Sequence, residues 1–130
     1  MKKDIPFLPV QDVLLTIVKT NEDSWQAYLI NRNEQPLENV MITSKGYGIN
    51  GGEEQRTSVL RHMIPLIEPR SFGLIEPIDA SVFHLTNEYW VSFFIGSQIY
   101  DKKYLFVPDT ITENNLIFIE ELNMKGVLHP

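Results

Sequence analysis

The stretch Ser44–Ser58, SKGYGINGGEEQRTS, decides between two folds. Gly46, Gly48 and Gly51 stand at the G-x-G-x-x-G spacing of a dinucleotide-binding loop. Such a loop needs a strand before it and a helix after it, so that backbone N–H groups at the helix N-terminus reach a pyrophosphate. Here the glycines run into Glu53 and Glu54, placing two carboxylates where the phosphate would sit, and the residues that follow make a poor helix. A kinase-type glycine loop would suit a hairpin, but neither H-R-D nor D-F-G occurs in the chain. The simpler reading is a turn. Asn50-Gly51 is a favoured pair for a type I′ hairpin, whose two central residues need φ > 0. The glycines then join a strand ending near Lys45 to one beginning near Gln55, and the fold is antiparallel.

Period-2 patterning extends this reading outward. In DVLLTIVKT (Asp12–Thr20), Val13, Leu15 and Ile17 share one face, with Leu14, Thr16 and Val18 on the other. WQAYLINRN (Trp25–Asn33) and LENVMITSKGYG (Leu37–Gly48) alternate in the same way, separated by the turn formers Asn33, Pro36 and Asn39. QRTSVLRHMIPLI (Gln55–Ile67) fits either period, and Pro65 and Pro69 tip it toward a strand. SFGLIEPI (Ser71–Ile78) and SVFHLTN (Ser81–Asn87) read as short strands. EYWVSFFIGSQIYDKKYLFVP (Glu88–Pro108) is the strongest hairpin, with Trp90, Ser92 and Phe94 opposing Tyr89, Val91, Phe93 and Ile95, and a break around Gly96–Asp101. Only DTITENNLIFIEEL (Asp109–Leu122) looks helical, and a short helix at most is expected there, with Thr112 as its N-cap and Glu113 at the positive end of the dipole.

Short strands with turns about every ten residues predict an all-β, antiparallel, immunoglobulin-like β-sandwich, with a small antiparallel β-barrel as the alternative. The 130 residues are expected to form a single domain with residues 1–11 as an N-terminal extension, and Trp25, Leu29, Val40, Ile42, Trp90, Phe94 and Leu105 are expected in the core.

Composition narrows the function. A net charge of −6 disfavours nucleic acid, and no apolar run reaches the length of a membrane helix. Without cysteine there is no disulfide, thiol nucleophile or thiolate metal site. Asp4, Pro6, Pro9, Gln11 and Asp12 interrupt any signal-peptide core, so a cytoplasmic location is expected. His62, His84 and His129 lack ligand spacing; His84 reads as an alternating strand residue and His129 as a loosely held one near the C-terminus. Glu53-Glu54 and Glu120-Glu121 read as solvated pairs rather than a glycosidase dyad, and no G-x-S-x-G elbow is present. No catalytic residue, cofactor or metal ligand is therefore assigned.

The segments AYLIN, SKGYG, RTSVLRH, FFIG, YDKKYLF and KGVL together resemble a family of small uncharacterised bacterial proteins often labelled phenylalanyl-tRNA synthetase alpha subunit, over about Trp25 to Leu128. A synthetase catalytic domain is much longer and carries ATP-binding arginine motifs, whereas Arg56 here follows two glutamates, so the chain is not expected to be an aminoacyl-tRNA synthetase. The function expected is that of a non-catalytic protein-interaction module, binding an unknown protein or a second copy through Tyr47, Arg61, His62, Tyr100, Lys102 and Lys103. The alternative is a small-ligand protein or enzyme with a pocket near Arg61/His62 and Tyr100/Asp101.

Overall fold

The computed structural model describes residues 9–21 and 24–130. Among the described residues every strand pairing is antiparallel, and the strands form two sheets with no closed barrel. The expected all-β antiparallel sandwich is met by these two sheets. The N-terminal extension lies largely outside the described residues.

The first sheet has the order β6-β2-β1-β10-β9, from β1 (Val13–Asn21), β2 (Ser24–Asn31), β6 (Ser71–Ile78), β9 (Ile117–Ile119) and β10 (Met124–His129). β1 is apolar on both faces because both are covered. Val13, Leu15 and Ile17 face the main core, while Leu14 packs with Ile30 and Ile119 in a smaller cluster on the other side. β10 can lie against β1 because residue 126 is glycine: a Cβ there would come 2.3 Å from Thr16 Oγ1. Thr16 Oγ1 meanwhile donates to the Val127 carbonyl at 3.0 Å.

The second sheet has the order β4-β3-β7-β8, with β5 also pairing with β3. Its members are β3 (Leu37–Asn50), β4 (Glu53–Arg56), β5 (Leu60–Ile67), β7 (Thr86–Ile95) and β8 (Gln98–Phe106). β3 is long enough to hold β7 along one side and both β5 and β4, in succession, along the other. Thr57 stitches the handover, since its N–H donates to the Gly46 carbonyl at 2.9 Å and its Oγ1 accepts from Gly46 N at 2.7 Å. The opening glycine question is settled by the β3–β4 hairpin. Its two loop residues are Gly51 (φ 62°) and Gly52 (φ 82°), one position later than the expected Asn50-Gly51, because Asn50 already pairs with Glu53. Gly46 and Gly48 lie within β3 itself.

Four expectations are corrected. SVFHLTN is not a strand: Ala80–Val82 form a 3-10 turn whose N-cap, Asp79, accepts from Ser81 N at 2.8 Å, and His84 lies in the following turn. The break in the β7–β8 hairpin is only Gly96–Ser97, with Ile95 already paired to Gln98. The tail stays within the expectation of a short helix at most, making single 3-10 turns at Glu113–Asn115 and Glu120–Leu122, while Ile117–Ile119 pair with β10. Thr112 does precede the first turn, but its side chain makes no capping bond. His129 is likewise not loose, because it closes β10 opposite Leu15 and meets the rings of Tyr104 and Phe106 edge-on.

The core lies between the sheets. Trp25, Leu29, Val40 and Ile42 are buried there as expected. Trp90, Phe94 and Leu105 are not. The inward set on β7 and β8 is Tyr89, Val91, Phe93, Tyr104 and Phe106, so the expected face of this hairpin is inverted.

Candidate functional site

That inversion creates the most unusual surface of the molecule. The registers of β5, β3, β7 and β8 align outward-facing residues in rows: Leu66–Glu38–Phe94–Ile99, then Met63–Met41–Ser92–Asp101, then Arg61–Thr43–Trp90–Lys103. A fourth row carries Lys45, Glu88 and Leu105. Met41, Met63, Leu66, Trp90 and Leu105 are 38–63% exposed, so one sheet face shows water five large apolar side chains. Single exposed apolar residues are common, but contiguous groups of them mark contact surfaces.

The face is also ordered. The Trp90 indole N–H donates to Asp101, and Lys103 Nζ lies 4.8 Å from the centre of its ring. A ring held from its edge and its face keeps little rotamer freedom to lose when something covers it. Next to it, Glu88 is buried although it points outward. Its carboxylate accepts from Tyr47 OH at 3.1 Å and lies 3.7 Å from Lys45 Nζ and 3.9 Å from Lys103 Nζ. Burial, followed by this bond to Glu88, raises the Tyr47 phenol above its ordinary value. Past Tyr47, the curl of the β3–β4 hairpin leaves a groove of about 790 Å³ lined by Lys45, Tyr47, Ile49, Arg56, Val59 and Glu88.

A second polar cluster lies between the sheets, where the edge strands β5 and β6 approach. Glu76 of β6 is buried and accepts from Ser44 Oγ at 2.8 Å and from Tyr89 OH at 3.1 Å. His62 Nε2 is 2.6 Å from the same carboxylate, which places the ring proton on that nitrogen. Burial first, and the charge of Glu76 second, hold the Tyr89 phenol well above the ordinary tyrosine range. The cluster borders a cleft of about 250 Å³ whose wall includes Thr57, Asp79 and Asn87. Ser44 and His62 both bond Glu76 rather than each other, which is not the relay a nucleophilic serine requires.

The six residues named from sequence divide between these settings. Tyr47, Arg61 and Lys103 belong to the outer face. His62 faces inward to Glu76, and Tyr100 faces inward to stack on Phe93 with ring centres 5.5 Å apart. Lys102 leans over the Tyr104 ring at 4.7 Å and donates to the Pro130 carbonyl at 2.6 Å, and burial lowers its pKa. Arg61 and Asp101 lie outside while His62 and Tyr100 lie inside, so the structure does not bring these four around one pocket. Met41, Met63, Trp90 and Glu88 are the residues the sequence reading missed. The signal was in β8, where Asp101 and Lys103 share a parity with Leu105 and mark that side as the wet one.

Among the described residues, no group of three or more histidines and acidic side chains is placed to hold a metal ion, and no helix is long and apolar enough to cross a membrane. Compared with known proteins, the chain matches no family model, no curated protein and no solved structure.

Proposed function

We propose that this chain is a non-catalytic interaction module of the bacterial cytoplasm, which docks another protein on the outer face of its β5-β3-β7-β8 sheet. The carrying observation is the exposed set Met41, Met63, Leu66, Trp90 and Leu105 on one ordered sheet face. Trp90 supplies a rigid aromatic anchor, the methionines supply adaptable apolar area, and Arg61, Lys45 and Lys103 supply a charged margin. Oxidative footprinting tests it. In a native bacterial lysate Met41 and Met63 should convert to sulfoxide several-fold more slowly, relative to Met124, than in the dilute purified chain. Equal relative rates in the two samples would remove the reading.

A second reading, small-ligand binding, is supported by the cleft beside Glu76 and its hydroxyl-bearing wall. Its volume of about 250 Å³ suits a ligand no larger than an amino acid. Calorimetric titration with amino acids and small amines tests it, with Glu76→Gln as the control.

A further inference from the structure

The charges on the outer face are sorted along the strands. Glu38 and Asp101 lie in the first two rows; Arg61 and Lys103 lie in the third and Lys45 in the fourth, where the buried Glu88 sits between Lys45 and Lys103. We infer that the protein docked here is a second copy of this chain, stacked face to face about a two-fold axis in the plane of the interface and perpendicular to the strands. The inference rests on the docking reading above and names its partner.

That axis is selected by electrostatics. A two-fold axis perpendicular to the strands lays each strand over its own copy with the row order reversed. Glu38 then faces Lys45 of the other copy, Asp101 faces Lys103, Met41 faces Thr43, and Trp90 faces Ser92. A two-fold axis parallel to the strands keeps the rows and exchanges β5 with β8 and β3 with β7, which sets Lys103 against Arg61 and leaves Glu38 facing Phe94 and Asp101 facing Met63; its one opposite-charge pair, Lys45 with Glu88, already exists within each copy. Like charges in register oppose that second arrangement. The first gives an isologous interface whose two central rows set Met41, Met63 and Trp90 against Thr43, Arg61 and Ser92, with Asp101 against Lys103 on β8 and Glu38 against Lys45 at both ends.

The area fits a reversible dimer. Four strands about 4.8 Å apart and some nine residues of about 3.4 Å give a patch of roughly 600 Å² per copy. Two such patches total about 1,200 Å², the lower limit for specific interfaces, so micromolar dissociation is expected. Two sheet faces can pack in this way with their strands within about 30° of each other, and the methionines fill the gaps that twist leaves.

Sedimentation of the purified chain across concentrations up to about 1 mM tests this directly. A monomer–dimer equilibrium is expected, with Trp90→Ala weakening it at least about tenfold. Glu38→Lys and Lys45→Glu should each weaken self-association, because each sets like charges opposite one another at both ends. Mixing those two variants should restore dimers, since opposite charges then meet at both ends, which no foreign partner would mimic. Should Lys45→Glu fail to fold beside Glu88, Trp90→Ala and Glu38→Lys alone carry the test. A chain that remains monomeric, or a dimer indifferent to both substitutions, overturns the inference. Methionine protection in lysate with a monomeric purified chain would remove the second copy as partner and leave the docking reading standing; loss of both removes both.

Discussion

Glu76 and Glu88 are both buried, and each accepts a hydrogen bond from a tyrosine hydroxyl, yet they occupy opposite surroundings. Glu76 sits between the sheets, where Ser44, Tyr89 and His62 converge from three strands of the facing sheet. Glu88 sits on the outside, roofed by Tyr47 and flanked by two lysines whose ammonium groups stay in contact with water. The inner carboxylate ties the two layers together at that edge, as does Asn31 of β2, whose Nδ2 donates to the Ile67 carbonyl of β5 at 3.3 Å. The outer one neutralises a positive margin and fixes the neighbours of Trp90. Burial alone therefore does not tell structure from display; the partners do.

Removing the inner acceptor should have the largest effect. Glu76→Ala leaves the Tyr89 and Ser44 hydroxyls without their acceptor, a loss of about 3–5 kcal/mol by urea denaturation. Glu76→Gln keeps an acceptor and should cost less than half of that. A loss below about 1 kcal/mol for Glu76→Ala would show that water fills the place of the carboxylate.

Three tyrosines tie the fold to pH. Tyr89, Tyr104 and Tyr47 all have phenols raised above the ordinary value of 10.0. A raised folded-state pKa means that the unfolded chain ionises first, so the stability is complete below pH 10 and is lost as pH climbs beyond it. Denaturation series from neutral pH upward should therefore fall away above pH 10. Tyr104→Phe should flatten that limb while costing about 1–2 kcal/mol at neutral pH, because its hydroxyl donates to the Val13 carbonyl at 2.6 Å. Tyr47→Phe, on the outer face, should change the limb far less.

Outer substitutions should be milder still. Glu88→Gln keeps an acceptor for Tyr47 and should cost no more than about 1 kcal/mol. Trp90→Ala should alter monomer stability by no more than about 0.5 kcal/mol, whereas Trp25→Ala, in the core, should cost about 3–5 kcal/mol. Equal losses at the two tryptophans would mean that the outer face is part of the core's energetics, and the contrast would collapse.

The sequence read well where one face of a strand was plainly wetter than the other. β2 and β3 show the contrast, with Ala27 and Leu29 or Val40 and Ile42 alternating with polar or long side chains, and both were legible. β7 was not, because Trp90 and Phe94 are as apolar as Tyr89 and Phe93, and period 2 cannot say which set faces inward. The tail held no more helix than expected, but its strand was not legible. Thr112 and Glu113 are good helix-start chemistry, but Ile117–Ile119 found the long-range partner β10, and tertiary pairing overrode local preference. Glu76 gave no warning at all, since its partners come from Ser44, His62 and Tyr89, which only the folded registers bring together.

The pairing of β1 with β10 has a consequence for synthesis. Leu15 lies opposite His129 and Val18 opposite Gly126, so β1 waits for residues more than a hundred positions later in the chain. At about 5–20 residues per second, that wait lasts roughly 5 to 20 seconds on the ribosome. Meanwhile the β1–β2 hairpin shows Val13–Val18 as an open, apolar edge, the kind of template on which another nascent chain could pair. The chain therefore carries an aggregation-prone edge throughout that wait, until the arrival of Gly126, whose missing Cβ lets β10 settle against Thr16.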